Sequence, residues 1–350
     1  MRHLELHILQ SVPVACLNRD DLGSPKTAVF GGVQRARVSS QCWKRAIREY
    51  CGELLPQHFK GERTRLIVEP LRDIFINTYG LDEATALVKA NDLAEGLAKL
   101  DKDAAKKNKL QTKTLFFTSR SELEALAAIA VNNENIKKHA KTFAQSLCTD
   151  AADIALFGRM VASAPELTLE GAAMFSHALS THKADNEIDF FSALDDLQPS
   201  EETGAGMTGT LEFNAAAYYR FCALNLDMLA DADHLGALSP DERQGIVAAF
   251  VEATLKAMPV ARKNSMNANT MPAYVLCVLR DSGQPVQLVN AFEKAVYSPD
   301  GRGYVEASIK RMEEEYQRLE NTWGLTAVET IRMPLQSLGE LLQGVRRHVR

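Results

Sequence analysis

The order in which hydrophobic periods appear along this chain narrows its class before any single residue is weighed. Leu4, Leu6 and Ile8 alternate with Glu5 and His7, the two-residue period of a half-buried strand. Residues 16–32 read as a long loop punctuated by Gly23, Pro25, Gly31 and Gly32. Residues 33–38 are extended again, with Arg35 and Arg37 on one face. Ser39 and Ser40 offer an N-cap to a helix whose buried stripe is Trp43, Ile47, Tyr50 or Cys51, and Leu54. Residues 60–150 are rich in Ala, Leu, Glu and Lys and read as mainly helical. Strand-like character returns at 153–161 and 172–181. An extended segment near 188–197 leads into PSEETGAGMTG at 199–209, and 210–225 is extended again, so a long hairpin with a mobile tip is expected. One further strand is expected at 273–280, among helices. Strands, then a helical insertion, then more strands predict an α+β fold rather than a doubly wound sheet.

Charge divides the chain into patches. The formal net charge is -5, against the basic balance usual for a free-standing nucleic-acid binder. The total hides a split. Residues 183–202 carry one Lys and seven acids, whereas residues 26–48 carry Lys26, Arg35, Arg37, Lys44, Arg45 and Arg48 and no acid. The six cysteines (Cys16, Cys42, Cys51, Cys148, Cys222 and Cys277) are scattered singly with no CxxC pair, as expected of reduced thiols in a cytoplasmic protein. MRHLELHILQ is not a secretory signal, no apolar run approaches a membrane span, and neither GxGxxG nor GxxxxGK[ST] is present.

The acid-free stretch carries the chemistry. Gln41, Lys44 and Arg48 lie at i, i+3 and i+7 and form one polar, basic helix stripe. The helix N-terminus adds backbone N–H groups and a positive dipole end, and Ser39 and Ser40 add hydroxyls. Arg35 and Arg37 precede them, and Arg19 and Lys26 flank the bends of NRDDLGSPK. A single anion needs no such row of donors; a nucleic-acid backbone does. The competing reading of the stripe is a solvated helix face, and of the loop an Asp-capped turn. Phe190, Phe191 and Leu194 on the hairpin arm can stack on bases or form ordinary hairpin core. Lys137, Lys138 and Lys141 form a helical cluster whose default reading is a solvated face.

Catalytic and metal-binding sets are weak. His177, His182 and Asp185 could ligate a metal, but an extended segment puts the two histidines on opposite faces, so no metal or other cofactor is expected. Asp20–Asp21 and Asp195–Asp196 suit turns and caps. His3 or His7 could act in acid–base RNA cleavage, although a strand histidine is usually structural.

The string LNRDDLGSPKTAVFGGVQRARVSSQCWKRAIR, with DIALFGRM at 153–160, FSHALSTHKADNEIDFFSALDDL at 175–197 and NAFEKAV at 290–296, resembles the CasC (Cas seven) family. That family is the repeated backbone subunit of the type I-E CRISPR surveillance complex, Cascade. The resemblance implies a hand-shaped molecule: a modified RNA-recognition (ferredoxin-like) palm at 1–51, 151–187 and 221–350, helical fingers at 52–150 and a hairpin thumb at 188–220. It implies no catalysis, and partners that are guide RNA, target DNA through the guide, further copies of the chain and other Cascade subunits, with no membrane. By position it assigns phosphate contacts to Lys26, Ser39, Gln41, Lys44 and Arg48, supported by Arg19, Arg35 and Arg37. It places Met160, Phe191 and Leu194 around a displaced nucleotide, and Lys137, Lys138 and Lys141 near target DNA. A metal-independent RNA-processing endonuclease on a similar palm is the alternative; it would need a positioned acid–base residue, and the basic helix contains no His.

Overall fold

A computed structural model describes residues 1–106, 109–145, 151–161, 165–193, 207–298 and 301–350. Strands among them are β1 (His3–Ala15), β2 (Thr27–Phe30), β3 (Val33–Val38), β4 (Glu62–Thr64), β5 (Phe116–Thr118), β6 (Ala173–Phe175), β7 (Ala178–Ser180), β8 (Glu187–Ala193), β9 (Met207–Asn225), β10 (Tyr274–Arg280) and β11 (Glu329–Met333). Helices are α1 (Ser40–Leu54), α2 (Val68–Tyr79), α3 (Glu83–Ala98), α4 (Lys102–Ala105), α5 (Arg120–Ala130), α6 (Ile136–Gln145), α7 (Ala152–Phe157), α8 (Leu226–Leu229), α9 (Pro240–Lys256), α10 (Val305–Trp323) and α11 (Leu338–Arg347). The fold is α+β, as the order of periods predicts. It divides into two compact units: Met1–Tyr50 with Phe175–Ala223 and Phe250–His348, and Cys51–Met174 with Leu224–Ala249 and Val349–Arg350.

The first unit is built on an antiparallel sheet in the order β11-β10-β1-β9-β7-β3-β2, with β8 paired to β9 beyond this path. β1 is central and buried on both faces over its first eight residues, not half-solvated as its alternation suggests. Leu4, Leu6 and Ile8 fill one face. On the other, Glu5 is held by His3 Nε2 at 3.1 Å and His7 Nε2 at 3.4 Å, with the Val286 backbone N–H donating to it at 3.0 Å. Burial would raise the Glu5 pKa, but the bonds from His3 and His7 and the nearby His7 and Arg280 charges outweigh it and hold the carboxyl at about 2. His7 Nδ1 also lies 3.0 Å from the Tyr219 hydroxyl. The polar half of the alternation is thus an internal network, and His3 and His7 are sealed from solvent. Neither can reach a phosphate at the surface, which removes the two acid–base candidates on β1.

The expected loop at 16–32 contains a strand. β2 turns into β3 through Gly31 (φ +61°) and Gly32 (φ +76°), the two positive φ values of a type I′ hairpin turn. Gly31 admits no side chain, because a Cβ there would stand 1.6 Å from the Glu293 carbonyl oxygen.

In the second unit, α2, α3, α5 and α6 enclose a core that includes Leu71, Phe75, Leu93, Leu97, Phe116 and Leu126. α2 ends on left-handed Gly80, and Asp82 caps α3 through the Thr85 N–H. The strand-like reading of 153–161 is overturned, since Ala152–Phe157 is helix α7. All six of its residues are buried, Asp153 included, and a short segment buried all round shows neither period. β8 pairs with β9 from Glu187↔Phe213 to Ala193↔Met207, giving the expected antiparallel arms. Of the expected tip at 199–209, residues 207–209 belong to strand β9, and 199–206, with Leu194, lie outside the described residues.

Candidate nucleic-acid interface

The strip from Arg19 to Arg48 is organised by Asn18. Its side-chain oxygen accepts from the Ser39 N–H at 2.9 Å, and its backbone oxygen accepts from the Lys26 N–H at 2.9 Å. The Lys26 oxygen in turn accepts from the Arg37 N–H at 2.9 Å. Loop, strand and helix start are therefore tied together at one place. Asp20 Oδ1 accepts from the Leu22 and Ser24 N–H groups, closing the bend that carries exposed Arg19. Ser39 Oγ accepts from the Cys42 N–H at 3.3 Å and caps α1.

His177 enters this junction from far along the chain. Its Nδ1 accepts from the Ser40 N–H at 3.1 Å, which leaves Nε2 as the proton-bearing nitrogen of the exposed neutral ring. Partial burial and then the charges of Arg37 and Lys26 lower its pKa, so these three side chains share one neighbourhood. The open helix N-terminus expected from the sequence is therefore corrected. Ser39 and His177 already satisfy two of its N–H groups, and anion binding here falls to side chains.

Along α1, Trp43, Ile47 and Cys51 are buried as the period predicts, while Gln41 is exposed and Lys44 and Arg48 are half-buried. The Lys44 ammonium sits 5.4 Å from the Phe175 ring centroid. Beneath the helix, Arg220 stacks its guanidinium 3.6 Å from the Trp43 ring and donates to Thr254 O at 2.6 Å and to Gln10 Oε1. Burial brings the Arg220 pKa down to about 9. This internal cation, invisible to period analysis because it sits in an apolar strand, supports the floor of α1 from below.

Arg35 is the main departure. It is fully buried, and its guanidinium donates to the carbonyls of Phe30 (3.2 Å), Ser180 (3.0 Å), Phe292 (2.8 Å) and Glu293 (3.1 Å). A phosphate cannot reach it, so its assignment as a phosphate contact is withdrawn. Arg37, two residues on, is half-buried and spends Nε on the Thr27 carbonyl at 3.1 Å. The opposite fates of two arginines on one strand face follow from the turn. Gly31 brings Glu293 close enough to close a cage of carbonyls around Arg35.

On the hairpin, the Phe191 ring lies over Gly209, its cross-strand partner, where a Cβ would meet Phe191 Cζ at 2.6 Å. Ile188 and Phe190 are strongly exposed. In the second unit, Met160 is 82% exposed on the rim of a cavity of about 430 Å3 lined by Arg63, Leu115, Phe117, Arg159 and Leu169. Arg159 is held in its wall by buried Glu122 at 2.6 Å. Lys137 and Lys138 are exposed on α6, with Lys137 3.6 Å from Glu95; the Lys141 side chain lies outside the described residues. His177 and His182 form no metal pair, because His182 Nε2 accepts from the Ala217 N–H while its ring stacks on Tyr304 at 3.7 Å. Among the described residues no group of three His, Cys, Asp or Glu side chains could hold a metal, and no helix is long and apolar enough to cross a membrane.

A sequence family described as CT1975-like protein matches residues 4–344. The chain belongs to the CT1975-like family. No curated protein sequence matches it. In structure the CT1975-like chain is similar to a chain of a complex described as "CRISPR RNA-guided surveillance complex, pre-nicking", with a TM-score of 0.83 and 28% identity over 99% of this chain and 100% of the other. A second likeness, described as "CRISPR RNA-guided surveillance complex", has a TM-score of 0.68 and 26% identity over 99% of both chains. These likenesses extend across residues 52–150, where the sequence islands supporting the CasC-type resemblance are absent, and they uphold that resemblance along the whole CT1975-like chain.

Proposed function

We propose that this chain is the non-catalytic backbone subunit of a type I-E CRISPR surveillance complex, coating the guide RNA and leaving its bases free to pair with target DNA. The observation that carries the reading is the junction tied by Asn18, where Lys26, Arg37 and His177 converge on the α1 stripe of Gln41, Lys44 and Arg48. Such contacts serve phosphates and carry no base information, as a subunit that must hold any spacer requires. Sequence choice then passes to base pairing, as in other RNA-guided effectors. Arg19, Lys26, Arg37, Gln41, Lys44 and Arg48 grip the backbone, and Ser39 positions them. Met160, Phe191 and Leu194 take the displaced nucleotide, and the α6 lysines approach target DNA. The acidic stretch at 183–202 and the basic strip at 26–48 favour head-to-tail contact between copies, which gives a filament when the contact does not close on itself.

The test is isolation of the chain from cells that express a repeat array. Bound RNA of one uniform length and many spacer sequences is the expected result. A protein free of RNA, or one selecting a single sequence, overturns the reading.

A further inference from the structure

The sequence holds a second acid-free stretch that the phosphate grip does not use. Residues 253–280 contain Lys256, Arg262, Lys263 and Arg280 but no Asp or Glu. It opens in the last turn of α9 and closes in β10, and between them runs a loop strapped to the outer half of β1. Gln10 Nε2 donates to Thr270 O at 2.6 Å, Thr270 Oγ1 donates to Ser11 O at 2.8 Å, and the Ala273 N–H donates to Leu9 O at 2.8 Å. The loop tip is a closed turn. Arg262 is left-handed (φ +55°), and its carbonyl accepts from the Ser265 and Met266 N–H groups at 3.1 and 2.8 Å. Arg262, Lys263, Asn264 and Ser265 are all exposed, four consecutive side chains that donate hydrogen bonds. A positive φ at a residue other than glycine costs free energy, so this turn is held rather than relaxed.

Behind the turn lies a cleft of about 260 Å3, with Tyr50, Met258, Met266, Lys263 and Asn267 in its lining. It falls below the ~300–1,000 Å3 typical of pockets for drug-sized ligands. One aromatic ring, two thioethers and an amide beside a lysine suit a flat heterocycle with an attached phosphate. The turn also lies within electrostatic reach of a residue beside the strip proposed above. Cys16, whose pKa burial raises, feels the opposing charges of both Arg19 and Arg262.

We propose that the 260–267 turn and the cleft behind it form a second RNA-contact element that takes one unpaired nucleotide, its phosphate on Arg262 and Lys263 and its base against Tyr50 and Met266. The assignment rests on the RNA-coating function proposed above. It extends the grip past Arg19, on a segment more than 200 residues away in sequence.

The test uses the full chain bound to guide RNA carrying 4-thiouridine at single positions. Ultraviolet crosslinks mapped by mass spectrometry are expected at Tyr50 or within 257–269. The paired substitution Arg262→Asn with Lys263→Gln, whose Asn tolerates the left-handed turn, is expected to flatten the salt dependence of RNA binding by about 1.4 logarithmic units, on the order of 0.7 per phosphate lost. Lys44→Ala with Arg48→Ala serves as the reference. If that pair weakens RNA binding while Arg262→Asn/Lys263→Gln leaves the slope unchanged and no crosslink maps to the cleft, the element is refuted and the main grip stands. If the unsubstituted chain binds no RNA, the main reading fails first. If Arg262→Asn/Lys263→Gln alters association between copies but not RNA affinity, the turn is a protein contact and the proposal is overturned.

Discussion

Arg35 and Lys44 show how far one residue type can diverge within a single basic stretch. Arg35 is caged by four carbonyl groups, so Arg35→Ala should cost on the order of 3 kcal/mol or more, by stranding buried acceptors and opening a cavity. Chemical denaturation should register that loss without RNA present, whereas Lys44→Ala should leave the denaturation midpoint nearly unchanged. Glu5 makes a second prediction at this scale. Its folded pKa, about 2, lies below the ordinary 4.5, so its contribution is fully present above pH 4.5 and is lost as pH falls toward 2. Acid unfolding followed by circular dichroism should show stability declining through that window, and Glu5→Gln should flatten the decline. Periodicity displayed all these residues and could not tell their roles apart. Charge alternation on a strand reads the same whether the polar face meets water or a buried partner.

At the scale of elements, the strand–helix junction was legible because a local period and a run of charge coincide there. The α1 stripe needs only residues 40–54. What escaped came from distance. His177 caps α1 from 137 residues away, and Arg220 lies 177 residues beyond Trp43, the ring it stacks on. The FGGV turn was legible in principle, as two glycines between extended segments, yet the surrounding loop punctuation concealed it. Gly31→Ala tests its role. A methyl group driven into the Glu293 carbonyl at a positive φ should destabilise the chain by roughly 2–4 kcal/mol or prevent folding, measured by thermal melting. Gly32→Ala, where a Cβ meets nothing within 4 Å, should cost less, chiefly the backbone strain. The helix at 152–157 was misread because total burial erases both periods.

For the whole molecule, three of the four sequence islands meet at one point. Residues 17–48, Ser180 and the 290–296 segment meet around Arg35, so part of what they encode is architecture rather than contact with a ligand. The grip itself lies beside that keystone. The negative total charge was a poor guide, because acids gather in the hairpin region and leave the α1 face basic. The endonuclease alternative loses His3 and His7 to burial and keeps His177 beside the basic strip. Purified protein incubated with labelled RNA should leave it intact; turnover abolished by His177→Ala would establish the enzyme instead.

The central claim is that this surface holds RNA by its phosphates. The direct measurement is the salt dependence of affinity for several unrelated single-stranded RNAs, with and without Lys44→Ala and Arg48→Ala. The predicted result is an equal loss on every sequence and a slope shallower by about 1.4 logarithmic units. A loss confined to one sequence, or a slope that does not change, would contradict it.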